Sequence, residues 1–129
     1  MIQALFKMSR PNNLLMIVFA MFAFRFGYAH TIAPSDFSQW MQFLGMILTI
    51  VLLTAGGNFI NDYFDKKVDA VNKPNQISID KKIKRRVVIL AHVLTNFVAL
   101  ICAFTASKIL HSWMPIVITP LIILLLTIY

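Results

Sequence analysis

Apolar runs separated by short polar breaks set the outline of this chain. Residues 13–29, 40–61, 87–107 and 113–129 are almost wholly apolar. At about 1.5 Å per residue each approaches or crosses a hydrocarbon core of about 30 Å. The pattern predicts an all-α, integral membrane helical bundle with about four transmembrane helices. Ahead of the first span, residues 1–10 carry Lys7 and Arg10 and suit a short amphipathic helix lying at the interface. The breaks fall at residues 30–39, a turn with Pro34, Ser35 and Asp36, at 72–84, where Pro74 stops a helix, and at 108–112.

Within the first span Phe24, Phe26 and Tyr28 run on with no small-residue cleavage pattern, so the segment is expected to stay and not to be removed as a signal peptide. Arg25 lies about 18 Å along the helix from Asn13. Snorkelling to the far interface and an inward functional pose are both open to it. Trp40 is placed as an interfacial anchor, and Gly45, Gly56 and Gly57 would let neighbouring helices approach closely. In the third span His92 and Asn96 share one face at i, i+4, for hydrogen bonding between helices or for a substrate pocket.

The chemistry concentrates where the second span ends, in Gly56-Gly57-Asn58-Phe59-Ile60-Asn61-Asp62-Tyr63-Phe64-Asp65-Lys66-Lys67-Val68-Asp69. On a helix Asn61, Asp65 and Asp69 fall at i, i+4 and i+8, and Asp62 joins Asp65 and Asp69 at i, i+3 and i+7. Such like charges repel by about 0.2–0.5 kcal/mol per pair. A divalent cation reverses that sign, and Mg²⁺ prefers one or two carboxylates, waters and the phosphate oxygens of a substrate. Lys66, Lys67 and Lys73 stand beside the strip as point charges for further phosphate. The bland alternative is a solvated helix end that interleaves Asp and Lys to stay wet. Against it, Thr54, Asn58, Asn61 and Asp65 continue one polar face back into the apolar segment, where polar groups look into a bundle or cavity.

Asn61-Asp62-Tyr63-Phe64-Asp65-Lys66-Lys67-Val68-Asp69 resembles the first aspartate-rich motif, N-D-x-x-D-x-x-x-D, of the UbiA superfamily of intramembrane prenyltransferases. Asn72-Lys73-Pro74 resembles the Asn-Lys-Pro that follows it in many members, and Arg10-Pro11-Asn12-Asn13-Leu14 resembles their opening before the first helix. The resemblance implies a nine-helix fold with a second aspartate motif in its latter half. This chain has no second D-x-x-x-D, so residues 1–129 are expected to be the N-terminal part of a single prenyltransferase domain, with the remaining half of the enzyme as its partner and this part alone inactive.

The resemblance further implies transfer of a geranylgeranyl-type group from a polyprenyl diphosphate to an acceptor, with Mg²⁺ clamping the diphosphate. Asn61, Asp62, Asp65 and Asp69 carry over as metal ligands, the three aspartates as catalytic residues. Asn61, Lys73, Arg10 and Asn13 carry over as diphosphate contacts. Where many quinone-forming members follow Asn-Lys-Pro with an acidic residue, Arg and Pro, this chain has Asn75-Gln76-Ile77. With Ile83-Lys84-Arg85-Arg86-Val87, that looks more like the bacterial branch resembling archaeal geranylgeranylglyceryl phosphate geranylgeranyltransferases. The acceptor is then lipid-like, such as geranylgeranylglyceryl phosphate; the alternative is an aromatic quinone precursor such as 4-hydroxybenzoate. Met16, Phe19, Met21, Phe22 and Phe26 would line an isoprenoid tunnel or face lipid.

Composition narrows the classes. Of 129 residues 59% are hydrophobic and 13% charged, which excludes an ordinary soluble domain. The net charge is +7, yet eight of the 12 basic residues lie between Lys66 and Arg86, which suggests one polar loop and no nucleic-acid surface. By the positive-inside rule that loop, the aspartate motif and the N-terminus are cytoplasmic, in a cell inner membrane. The single cysteine, Cys102, excludes an intrachain disulfide framework and suits a small packing residue. Two other classes remain. CDP-alcohol phosphotransferases also set aspartates at a helix end, but residues 63–68 lack the Gly, Ala and Arg of their motif. A non-catalytic membrane fragment binding lipid or a partner would depend on the basic residues 81–86 and not on the aspartates.

Overall fold

The structure, a computed structural model, describes residues 2–27, 37–72, 83–110 and 113–128, with side chains for all but 67–72 and 109–110. Its elements are helices: α1 (Ile2–Met8), α2 (Pro11–Gly27), α3 (Phe37–Asn72), α4 (Arg85–Leu110) and α5 (Met114–Ile128). Phe37–Lys66 and Arg85–Lys108 are long and apolar enough to cross a membrane, and α2 and α5 are shorter apolar helices. Of the spans expected, two therefore reach full length, while α2 with 17 residues and α5 with 15 extend about 26 and 22 Å.

Two sequence expectations change here. The turn expected over residues 30–39 falls largely outside the described residues, and Phe37–Gln39 already belong to α3, since no proline or glycine interrupts the run. Lys108, expected in an outer loop, lies inside α4, its ammonium 5.5 Å from the Phe104 ring.

α3 and α4 run antiparallel and share the largest interface, α5 packs against both, and α2 and α1 lie against α3. α4 explains why. Val88, His92, Asn96, Ala99, Ala103 and Ala106 recur at three- and four-residue spacing and are all buried. Alanines at this seam let the two backbones close in. The opposite face shows Leu90, Val93, Leu94, Phe97, Ile101 and Phe104. With apolar residues all round and the polar ones inside, α4 is built for lipid.

α1 ends in a tight reversal that carries the chain into α2. Ser9 N–H bonds the Leu5 carbonyl at 3.0 Å, Arg10 N–H the Lys7 carbonyl at 3.2 Å, and Arg10 itself adopts φ 55°. This is the left-handed position that commonly closes a helix and favours glycine. Arg10 then serves the next helix: its carbonyl accepts from Asn13 and Leu14 N–H at 2.9 and 3.2 Å, and Pro11 supplies a preset φ at the first helical position. Ala4 and Met8 of α1 bury against Ala55 and Phe59 of α3, Ile83, and Val88 of α4.

At the other end of the bundle α2 meets α3 through aromatics. Phe22 packs edge-on to Phe43 at 5.3 Å, and Phe26 lies 5.9 Å from Trp40. Arg25 sits over the Trp40 and Phe43 rings at 5.5 and 5.7 Å. Its guanidinium is thus held by ring faces at the anchor tryptophan, so it turns sideways onto α3.

Candidate functional site

The aspartates stand on a continuous helix, not beyond the end of one. α3 runs 36 residues to Asn72, about 54 Å against a core of about 30 Å. With Phe37 and Trp40 at one interface, the segment from Asn61 onward projects past the other. The helical spacing read for the strip therefore holds in the backbone, Asp69 included. Asn61 and Asp65 are exposed, and Asp62 is half-buried. The Asp69 side chain, Lys73 and the loop basic residues Lys81 and Lys82 lie outside the described side chains. Among the described residues no three His, Cys, Asp or Glu side chains come together.

The structure joins Arg10 to the strip directly. Its Nη2 donates to Asp62 Oδ1 at 2.8 Å, across 52 positions of sequence. A second strut lies beside it, where Asn58 Nδ2 donates to the Ser9 carbonyl at 2.9 Å. The reversal between α1 and α2 is thereby pinned to α3 at the foot of the aspartates. Asn13, expected beside Arg10, is exposed one turn into α2, and among the described residues only its backbone is engaged, through the Arg10 carbonyl.

Because the ion pair is partly exposed, it contributes about 0–1 kcal/mol, and a non-glycine residue in the left-handed region costs about 1–2 kcal/mol. Arg10→Gly is accordingly expected to leave the thermal midpoint of the detergent-solubilised protein nearly unchanged. Arg10→Ala, which keeps the strain and loses the pair, should melt lower than Arg10→Gly; a reversed order would show that position 10 carries no left-handed strain.

On its other side the strip opens onto a hollow of about 400 Å³ between α3 and α5, lined by Thr54, Gly57, Asn58 and Asn61 facing Ile122 and Leu126. The polar face read from Thr54 to Asn61 thus looks into a cavity, although Thr54 Oγ1 bonds the Ile50 carbonyl at 2.9 Å and so presents chiefly its methyl. A second, more apolar hollow of about 370 Å³ continues toward Met46 and Met114. Both hollows include Ile50, Leu53 and Ile122, so they form one furrow. The first-span residues Met16, Phe19 and Phe26 are instead exposed, and Phe22 packs on Phe43. α5 supplies the wall, and Ile122 and Leu126 share a face with the buried Thr119, which lines the second hollow.

His92 and Asn96 act between helices. His92 Nδ1 lies 2.9 Å from the Gly56 carbonyl, which accepts only, so Nδ1 carries the proton. Nε2 then accepts from Asn96 Nδ2 at 3.1 Å. Of the glycines expected at helix contacts, Gly56 faces Thr95 and Asn96, and Gly57 faces Leu126, whereas Gly45 has nothing within 4 Å of where a methyl would stand.

A family model described as "UbiA prenyltransferase family" matches residues 17–129. The chain is similar to "Digeranylgeranylglyceryl phosphate synthase" of Methanosarcina mazei, 30% identical over 119 residues, covering 86% of this chain and 41% of that protein. It is similar to the protein of the same name from Natronomonas pharaonis, 35% identical over 83 residues, 64% of this chain and 28% of that one. The match to the Methanothrix thermoacetophila protein of that name is short but denser, 59% identical over 27 residues. The chain thus spans less than half the length of these relatives. No solved structure matches.

Proposed function

We propose, from the premise that the chain belongs to the UbiA prenyltransferase family, that it carries the donor-binding part of an enzyme transferring a geranylgeranyl-type chain from its diphosphate to a lipid-like acceptor such as geranylgeranylglyceryl phosphate. The observation that carries this reading is the furrow between α3 and α5, which opens at Asn61 beside Asp62 and Asp65. An apolar slot with oxygen ligands at its mouth suits a molecule with a hydrocarbon tail and a diphosphate head. The names of the relatives support the lipid-like acceptor over an aromatic one.

The donor set fits Mg²⁺: Asn61, Asp62 and Asp65 offer only hard oxygen ligands, on exposed or half-exposed side chains of one helix. These residues, with Asp69, would hold the ion. When bound, it supplies positive charge that stabilises the departing diphosphate. Arg10, already at the head-group end through Asp62, and Lys73 add charge-assisted donors toward phosphate. Asn13, exposed three positions after Arg10, is a further proposed contact. The furrow walls take up the tail and keep water from the reacting carbon.

The remaining half of the enzyme, with further carboxylates, is proposed to lie outside these residues, as the coverage of the relatives suggests. The basic residues clustered around the loop support a cytoplasmic aspartate motif and N-terminus in a cell inner membrane.

The test is diphosphate release from geranylgeranyl diphosphate in membranes carrying the full reading frame, with geranylgeranylglyceryl phosphate and 4-hydroxybenzoate offered in parallel. Chelation by EDTA should abolish release and Mg²⁺ should restore it. Turnover with 4-hydroxybenzoate alone would move the acceptor to the aromatic class, and metal-independent release would overturn the role of the strip.

A further inference from the structure

We infer that Arg25 and Trp40 form a lipid-headgroup site at the end of the bundle opposite the aspartates, where the guanidinium takes the phosphate of an anionic glycerophospholipid and ties α2 to α3. The site needs only that the bundle lies in a membrane and is independent of the prenyl-transfer reading.

Arg25 is a cation in search of a counter-charge. Its guanidinium lies 5.5 Å from the Trp40 ring and 5.7 Å from that of Phe43. Ring faces attract the charge, but they do not replace the oxygen acceptors that its planar fork of N–H groups is shaped for. Among the described residues Nη2 is enclosed with no hydrogen-bond partner. An ionised donor left without an acceptor is costly, and most of all beside hydrocarbon. Most of the chain's own acids stand elsewhere. Asp62, the first acid on α3, lies about 33 Å along the helix from Trp40, with Asp65 and Asp69 beyond it. Asp80 falls between the end of α3 and the start of α4. That leaves Asp36, which lies outside the described residues.

The surroundings select a lipid as the occupant. Tryptophan sits at headgroup depth in membrane proteins. Phe26, next to Arg25, and Phe37, one turn before Trp40, are 57% and 78% exposed, so acyl chains can lie against them. The guanidinium fork matches two oxygens of one phosphate. A zwitterionic headgroup brings its own ammonium to that phosphate, whereas an anionic one leaves the charge to Arg25. α2 buries no residue fully, so a bound anion reinforces the joint that Phe22, Phe26 and Arg25 make with α3.

The experiment uses the full reading frame in lipid nanodiscs, with brominated lipids that quench a nearby tryptophan. The Trp40→Phe protein supplies the blank, so the difference reports position 40. Brominated phosphatidylglycerol is expected to occupy the site about tenfold more strongly than brominated phosphatidylcholine, the scale of one charge-assisted hydrogen bond. Arg25→Gln should make the two lipids equal. Arg25→Lys should keep part of the preference, which a misfolded protein would not. Lys108→Gln, which removes a cation at the same end of the bundle, should leave the preference intact. Equal quenching by both lipids in the wild type overturns the site, and so does a preference that survives Arg25→Gln. A preference that appears only in Asp36→Asn assigns the guanidinium to Asp36 and overturns it too. Displacement of the brominated lipid by inorganic phosphate alone would reduce the site to one for free anions and overturn the lipid as its occupant.

Discussion

Asp65→Asn is expected to reduce Mg²⁺-dependent diphosphate release in the full reading frame by about two to three orders of magnitude, the scale on which one lost preorganised charge contact slows a reaction. Asp65 is exposed one turn beyond Asn61, the residue of the strip that lines the furrow. The exchange keeps the shape and removes the charge, so the like-charge repulsion along the strip falls and the fold should not weaken. Activity and stability therefore separate at this residue. At Asp62 they should not: its carboxylate also receives Arg10 at 2.8 Å, so Asp62→Asn removes a proposed ligand and loosens the strut to the α1–α2 reversal. The comparison is made by assaying both variants in membranes and melting both in detergent. A fully active Asp65→Asn protein would remove the strip from the chemistry and favour the loop's basic residues as a lipid-binding feature.

Much of this arrangement was legible because α-helical periodicity and bilayer thickness constrain a membrane chain so tightly. Apolar run length places α3 and α4, and Asn61 and Asp62, four and three positions before Asp65, fall with it on one side of a helix. Pairings between distant segments were not legible. Nothing local marks Arg10 as the partner of Asp62, because the contact depends on a left-handed residue at position 10 that turns α1 back onto α3. The furrow wall was hidden for a different reason. Ile122 and Leu126 sit in a helix whose threonines fall on both sides, Thr119 on the cavity side and Thr127 exposed, so polarity does not distinguish a residue facing a cavity from one facing lipid. Arg25 shows the limit of depth arguments: its distance along α2 said how far in it lies, while its direction was decided by the rings of Trp40 and Phe43.

Gly56→Ala should destabilise the bundle by about 2 kcal/mol although alanine is the better helix former by about 1 kcal/mol. A methyl at Gly56 would stand 2.7 Å from Asn96 Oδ1 and 2.9 Å from Thr95 Oγ1. Neither atom is free to withdraw. Thr95 Oγ1 is bound at 2.9 Å to the Ala91 carbonyl and at 3.0 Å to that of His92, while Asn96, 5% exposed, is held against the His92 ring. That ring is in turn fixed by the carbonyl of Gly56 itself, so separating the helices to admit the methyl also stretches the His92 bond. Buried polar groups left without partners cost about 1–3 kcal/mol each. Gly45→Ala provides the internal standard: with nothing within 4 Å it should gain stability from propensity alone. Thermal melts followed by helical circular dichroism should rank Gly45→Ala above wild type and Gly56→Ala well below it. A Gly56→Ala midpoint at or above wild type would mean that α3 and α4 do not meet this closely.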